Sequence, residues 1–185
     1  MLPPGHIAGG LLAAEALLKI LKPDLPQSQL NQLLWWGMFF SFAPDLDSFI
    51  SFAKERSLAV RNADKNDHRN FFSHAPILWL LAGLAVYAAS GSVYLKTVGL
   101  LLWVCSWSHF LLDSIDHGVM WLWPLSKKRY ALNRPDALTN TEPTFFGYWA
   151  YFLKAYASWP TFYAELAVVT ASILVAIKLF SHSIF

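Results

Sequence analysis

His109 and Asp113 stand four residues apart at the end of an apolar run, Val98 to Trp107. On a helix that spacing stacks the imidazole above the carboxylate on one face, and Asp116 and His117 fall close to the same stripe. Four ionisable groups on one face of an apolar helix are costly in hydrocarbon unless they are paired or bound to metal. The pair therefore reads as two metal ligands, with a hydrogen-bonded intramembrane pair as the rival reading. Other segments hold candidates to complete the set: His6, Asp45, His68 and His74, with Asp47 as a further ligand or a general base acting on the attacking water.

Imidazole nitrogen and carboxylate oxygen suit zinc, manganese or iron better than magnesium. There are more candidates than one ion needs, so about one to three ions are expected, zinc first and manganese as the alternative, with a carboxylate such as Asp113 as a bridge. Paired ions of this kind activate water and steady the leaving oxygen of an in-line displacement, and phosphate esters are their common substrates. Arg69 and the group Lys127, Lys128, Arg129 and Arg134 are placed to receive a phosphate, Arg bidentately.

Each signal has a plainer explanation. His6 alone reads as an interfacial histidine, and Asp45 and Asp47 as helix caps after Pro44. His68 and His74 read as solvated loop residues. Asp116 and His117 suit outer positions behind the ligands better than ligation. Lys127-Lys128-Arg129 is most simply a topology determinant that also touches anionic lipid, and Glu15 pairs with Lys19 at i,i+4.

The elements that must position these residues are hydrophobic. The chain of 185 residues is 56% hydrophobic and only 14% charged, against about a quarter charged in soluble domains. One all-α, membrane-embedded domain over residues 1–185 follows, a helical bundle of about four or five hydrophobic helices with an interfacial aromatic-rich region. Cys105 is the single cysteine, which excludes an intrachain disulfide and a thiolate-rich metal site. The hydrophobic segments are residues 5–21, 30–43, 75–95, 97–113 and 162–180; the first two are short for a span, and a re-entrant hairpin is the alternative for them. Lys22-Pro23-Asp24-Leu25-Pro26 breaks the first from the second, and residues 147–159, rich in Trp and Tyr, suit a helix lying at the headgroup level.

If all five segments cross, the N-terminus and the loops 51–74 and 118–160 share one side. Those loops carry ten of the fourteen Lys and Arg residues, so that side is expected to be cytoplasmic. The same alternation gathers five of the six histidines there, with Asp45, Asp47, Asp113 and Asp116, and leaves out His182.

The motifs occur in an order that resembles the YdjM-like family, described as membrane-bound metal-dependent hydrolases. They are His6 with Gly9-Gly10, Pro44-Asp45-Leu46-Asp47-Ser48, His68-Arg69 with Ser73-His74, His109-Phe-Leu-Leu-Asp113, then Gly118 and Leu122-Trp123-Pro124-Leu125-Ser126-Lys127-Lys128-Arg129. The likeness covers roughly residues 1–135. It implies a bacterial inner membrane and metal-dependent hydrolysis. Asn70 departs from the pattern, where a smaller residue is expected. The His-x-x-x-Asp element is also weakly similar to one in zinc-dependent phospholipase C and the P1-type nucleases. The resulting expectation is hydrolysis of a phosphoester in a phospholipid or lipid-linked substrate, with membrane lipids as partners and no nucleic acid. His6, Asp45, His68, His74, His109 and Asp113 would ligate and Arg69 would orient the phosphate. The alternatives are a metal- or proton-handling transporter and a non-catalytic membrane protein pinned by a structural metal.

Overall fold

The computed structural model describes residues 1–55, 67–133 and 145–181. Seven α-helices are found there: α1 (Pro3–Leu21), α2 (Gln27–Phe42), α3 (Ser48–Glu55), α4 (Pro76–Ala89), α5 (Val93–Asp113), α6 (Phe145–Tyr156) and α7 (Pro160–Ser181). Short 3-10 turns cover Ala43–Asp47, His68–Asn70 and Phe72–His74. The described residues form no strand beyond one isolated antiparallel bridge, Val119 to Tyr130. Arg56, Arg61, Lys65, Arg134 and His182 lie outside the described residues.

The chain is an all-α bundle. Among the described residues, three helices are long and apolar enough to cross a membrane: α1, α5 and Pro160–Leu179 of α7. α4 is apolar but has 14 residues, about 21 Å at 1.5 Å per residue. The reading of residues 75–95 as one continuous segment is corrected at its end. Ser90 is extended, and the Ser92 hydroxyl accepts from Leu95 N at 3.2 Å. That cap starts a new helix, so Val93–Leu95 belong to α5. α1 ends where predicted, at Lys22, whose left-handed φ of 44° precedes the Pro23–Pro26 breaker.

α1, α2 and α5 form the centre, around Ala14, Leu18, Leu33, Phe40, Leu101 and Cys105. α4 packs on α5, and α7 on α1. Two of these contacts depend on absent side chains. A Cβ at Gly10 would fall 2.6 Å from the Gly37 carbonyl, and one at Gly83 would fall 2.5 Å from the Gly99 carbonyl. Backbones approach this closely in membrane bundles where small residues face each other. The pairings fix direction: Gly10 meets Gly37, Gly37 meets Cys105, Gly83 meets Gly99 and Gly5 meets Glu165. The starts of α1, α4 and α7 therefore share an end of the bundle with the ends of α2 and α5, as the alternation of segments required.

α6 follows the aromatic pattern of residues 147–159. It buries Tyr148, Phe152 and Tyr156 with Trp159 against Leu2 and Phe162, while Phe146 and Leu153 stay exposed.

Candidate metal centre

All six predicted ligands meet at that shared end. The first turns of α1 supply His6, the 3-10 turn after α2 supplies Asp45, and the turns before α4 supply His68 and His74. The last turns of α5 supply His109 and Asp113. Pro44 stands in the first positions of the Asp45 turn, and Pro76 opens α4 just after His74, where a missing N–H costs nothing. The six side chains are buried, four of them fully: His6, His74, His109 and Asp113.

Asp45 is central. Its Oδ1 lies 3.3 Å from His68 Nε2, 3.5 Å from His74 Nε2 and 3.7 Å from His109 Nε2, and its Oδ2 lies 3.8 Å from His6 Nε2. Asp113 stands opposite, with Oδ1 3.3 Å from His6 Nε2 and Oδ2 3.7 Å from His109 Nε2. The sequence nominated Asp113 as a bridging carboxylate; Asp45 faces more of the imidazoles. The His6 and His109 rings stack, 3.8 Å between centroids. The amino group of Met1 also reaches Asp113 Oδ1, at 2.7 Å.

The outer ring nitrogens say what these contacts are. His109 Nδ1 is 2.9 Å from the Ser41 carbonyl oxygen. A carbonyl only accepts, so Nδ1 carries the proton and Nε2 turns toward the carboxylates. Ser41 is free to accept because the last carbonyls of a helix lack partners within it. His74 Nδ1 donates likewise to Asp47 Oδ2 at 3.0 Å, and the Ser73 hydroxyl donates to the same oxygen. His6 Nε2, His74 Nε2 and His109 Nε2 are buried without a hydrogen-bond partner. Charge-assisted hydrogen bonds to carboxylates run about 2.7–2.9 Å, and these separations are longer. They match donor atoms around a common cation: tetrahedral bonds of about 2.0–2.1 Å set neighbouring ligands roughly 3.3 Å apart. Asp45, His74, His109 and Asp113, and separately Asp47, His68 and His74, each form a group able to hold a metal ion.

The electrostatics are those of a cation site. Burial would raise the Asp45 carboxyl, but the imidazoles around it, His109 foremost, hold it well below the usual range. Burial would lower His74, yet the carboxylates of Asp45 and Asp47 on either side lift it to about 9. His68 is lowered, by burial and then by the Arg69 charge. Burial works against the Arg69 charge as well, but Asp113 and Asp67 keep it firmly protonated.

Asp47 lies behind His74, on the far side of the ring from Asp45. Arg69 is buried, with Nε 3.3 Å from Asp113 Oδ2 and Nη1 3.5 Å from Asp67 Oδ1. Of the residues expected to receive phosphate, Arg69 alone among those described lines a cavity next to the centre. That cavity, about 280 Å³, also touches Asp45, His68 and His117. Arg129 instead pairs with Asp67, Lys128 lies 5.4 Å from the Tyr130 ring centre, and Lys127 is exposed. Asn70 is exposed on its 3-10 turn, so its size is accommodated. The Glu15–Lys19 pair forms at 2.9 Å.

Sequence reasoning missed the supports. Glu165 of α7 accepts from Gly5 N at 3.0 Å and Leu2 N at 3.3 Å, and from the Tyr156 hydroxyl. It thus caps α1 from another helix and steadies His6. Asp116 accepts from Thr161 N at 3.0 Å, from the Thr161 hydroxyl and from Asn133 Nδ2 at 3.1 Å, capping α7. Asp67 joins Arg69 to Arg129; its place beside His68-Arg69 was the one local signal. The other two partnerships are long-range and leave no local pattern.

Fold and site together define an all-α integral membrane protein with a buried His/Asp cluster that can hold a divalent metal at one end of its bundle. The chain belongs to the YdjM inner membrane protein family, whose model matches residues 1–184. The match extends the resemblance through the tail. No curated protein and no solved structure matches the chain, and the weak similarity to phospholipase C and the P1-type nucleases gains no support.

Proposed function

We propose that this protein is a metal-dependent hydrolase of phosphoesters carried by membrane lipids or lipid-linked molecules. The observation that carries the metal reading is the set of buried, partnerless Nε2 atoms of His6, His74 and His109 converging on the Asp45 and Asp113 carboxylates at 3.3–3.8 Å. Buried imidazole nitrogens and carboxylates gathered this closely with no hydrogen bond between them are costly unless a cation joins them. His6, Asp45, His68, His74, His109 and Asp113 would hold it. When bound, a divalent metal of this kind polarises a phosphoryl oxygen and activates water.

The chain's own groups supply the rest. Asp47 fixes the His74 ring through Nδ1 and raises its basicity as a ligand, as carboxylates behind metal-bound histidines do. The Ser41 carbonyl does the same for His109. Arg69 neutralises the phosphate at the cavity floor. In the overall reaction water adds to phosphorus and the ester oxygen departs with a proton. The apolar cavity walls suit a lipid substituent. The basic loops favour a cytoplasmic site. A transporter is less well supported, because the donors sit at one end of the bundle while transport sites lie near the midplane.

The test is elemental mass spectrometry on detergent-purified wild type beside a His109→Ala/Asp113→Ala double variant, followed by a screen of phosphodiester and phospholipid substrates. Metal in the wild type, lost from a folded variant together with hydrolysis, is the expected result. A wild type that takes up no metal even after reconstitution removes the basis of the reading.

A further inference from the structure

The six ligands differ in what they face. Asp45 and His68 line the cavity beside the centre, and His6, His74, His109 and Asp113 do not. The side chains of Asp45 and His68 keep 12% and 10% of their surface, whereas those of His6, His109 and Asp113 keep none. Position divides the ligands in the same way. His68 Nε2 and His74 Nε2 face Asp45 Oδ1 at 3.3 and 3.5 Å, and their ring centres are 5.0 Å apart. His6 Nε2 faces Asp45 Oδ2 at 3.8 Å and Asp113 Oδ1 at 3.3 Å. His109 Nε2 lies 3.7 Å from Asp45 Oδ1 and 3.7 Å from Asp113 Oδ2, next to both carboxylates, and its ring stacks on that of His6.

A single ion that took all six donors would have no open position. Zinc binds four ligands in closed structural sites and three in catalytic sites, where the fourth position is left to water or substrate. The donors also separate into two groups, Asp45, His74, His109 and Asp113 in one and Asp47, His68 and His74 in the other, with His74 common to both. His74 donates its Nδ1–H to Asp47 and so has one ring lone pair left, at Nε2, enough for one ion. Asp45 turns its two oxygens to different imidazoles and has a lone pair for each of two ions. Paired ions in such centres stand about 3.5–4 Å apart, a spacing that one bridging carboxylate spans.

We propose that the centre holds two unlike divalent ions bridged by Asp45: an inner, enclosed ion on His6, His109 and Asp113, and an outer ion on His68 and His74 whose open position faces the cavity. With Asp45, the inner ion has the four donors of a closed site and the outer ion the three of an open one. The buried Nε2 atoms without a hydrogen-bond partner supply both: His6 and His109 the inner ion, His74 the outer. The inner ion joins the start of α1, the turn after α2 and the end of α5, and so fixes the bridge. Substrate meets the outer ion. This deepens the metal-dependent phosphoester reading and rests on it for the class of substrate. Two divalent ions carry more charge than the carboxylates of Asp45 and Asp113 cancel, so the open position favours an anionic group.

The experiment loads wild type in phosphatidylcholine nanodiscs with manganese by equilibrium dialysis, with empty nanodiscs as the blank. Bound metal is counted by elemental mass spectrometry and its coupling is read by electron paramagnetic resonance. Two equivalents per chain with an exchange-coupled spectrum are expected. A chelator should then remove them in two phases of one equivalent each, the enclosed ion leaving last. His68→Ala, checked for folding by circular dichroism, should keep one equivalent with the spectrum of an isolated ion and lack the fast phase. Saturation of the wild type at any count other than two, two ions without coupling, or loss of both in one phase would each overturn the proposal, and these wild-type results stand whether or not the variant folds. A folded His68→Ala protein that keeps both ions or loses both would overturn it as well. Two coupled ions without turnover of any phosphoester would overturn the hydrolase reading and leave the two-ion centre. Turnover by a protein that saturates at one ion would do the reverse.

Discussion

Asp45→Asn isolates the charge at the middle of the cluster with almost no change of shape. Asp45 is the carboxylate closest to most of the imidazoles, within 3.3–3.8 Å of four Nε2 atoms. Structural zinc sites bind with about 10–16 kcal/mol over four ligands, or about 2.5–4 kcal/mol per ligand. Loss of one ligand's share corresponds to roughly a hundred- to a thousandfold in affinity. Asn keeps an oxygen at the same place, so the lower half of that range is expected. The metal-free protein changes too. His74 loses one of the two carboxylates that lift it, and its proton is released at lower pH. The assay is competition against a chromophoric chelator at pH 7.5, with bound metal counted by elemental mass spectrometry and folding followed by circular dichroism. A folded Asp45→Asn protein that binds metal as tightly as wild type would refute the reasoning. A cluster held only by hydrogen bonds would instead lose stability in this variant, with metal making no difference to either protein.

Asp47→Asn leaves the ligands in place and weakens the hold on the His74 ring, so metal affinity should fall about 10–100-fold, clearly less than for Asp45→Asn; an equal or larger loss would make Asp47 a ligand. In metal-free protein His74 titrates near 9 against an unfolded value near 6.5. The raised value means its stabilising share is complete below about pH 6.5 and is lost as pH rises through 9. Melting temperature without metal should therefore fall across that window, and metal uptake inside it should release a proton, measured by calorimetry in buffers of different ionisation enthalpy. Glu165→Ala removes the cap on Gly5 N and Leu2 N, and leaving buried donors unsatisfied should cost about 1–3 kcal/mol, read as a lower melting temperature and weaker metal retention at His6. Gly83→Val drives a side chain into the Gly99 carbonyl and Trp103 and should destabilise the α4–α5 pair by about 1–3 kcal/mol, while the metal affinity of the folded fraction stays near wild type.

Composition and spacing determined a good deal of this. Low charge and long apolar runs dictate helices, because a backbone in hydrocarbon must satisfy its own hydrogen bonds. Alternation of segments then fixes which ends lie together, and it puts His6, Asp45, His68, His74, His109 and Asp113 at one of them. The Ser90-Gly91-Ser92 break was visible, but its meaning was not: whether a polar triplet interrupts one helix or caps the next depends on where the Ser92 hydroxyl points. Tertiary structure alone decided the roles within the cluster. Nothing in Pro44-Asp45-Leu46-Asp47 distinguishes the two aspartates; the 3-10 turn aims one at four imidazoles and the other at the back of His74. Glu165 looks like an isolated charge in an apolar helix until α7 lies beside the start of α1. Periodicity reports which residues share a face of one helix, whereas partners drawn from different helices depend on rotation and packing, and those are set by contacts such as Gly10 with Gly37 that no local pattern encodes.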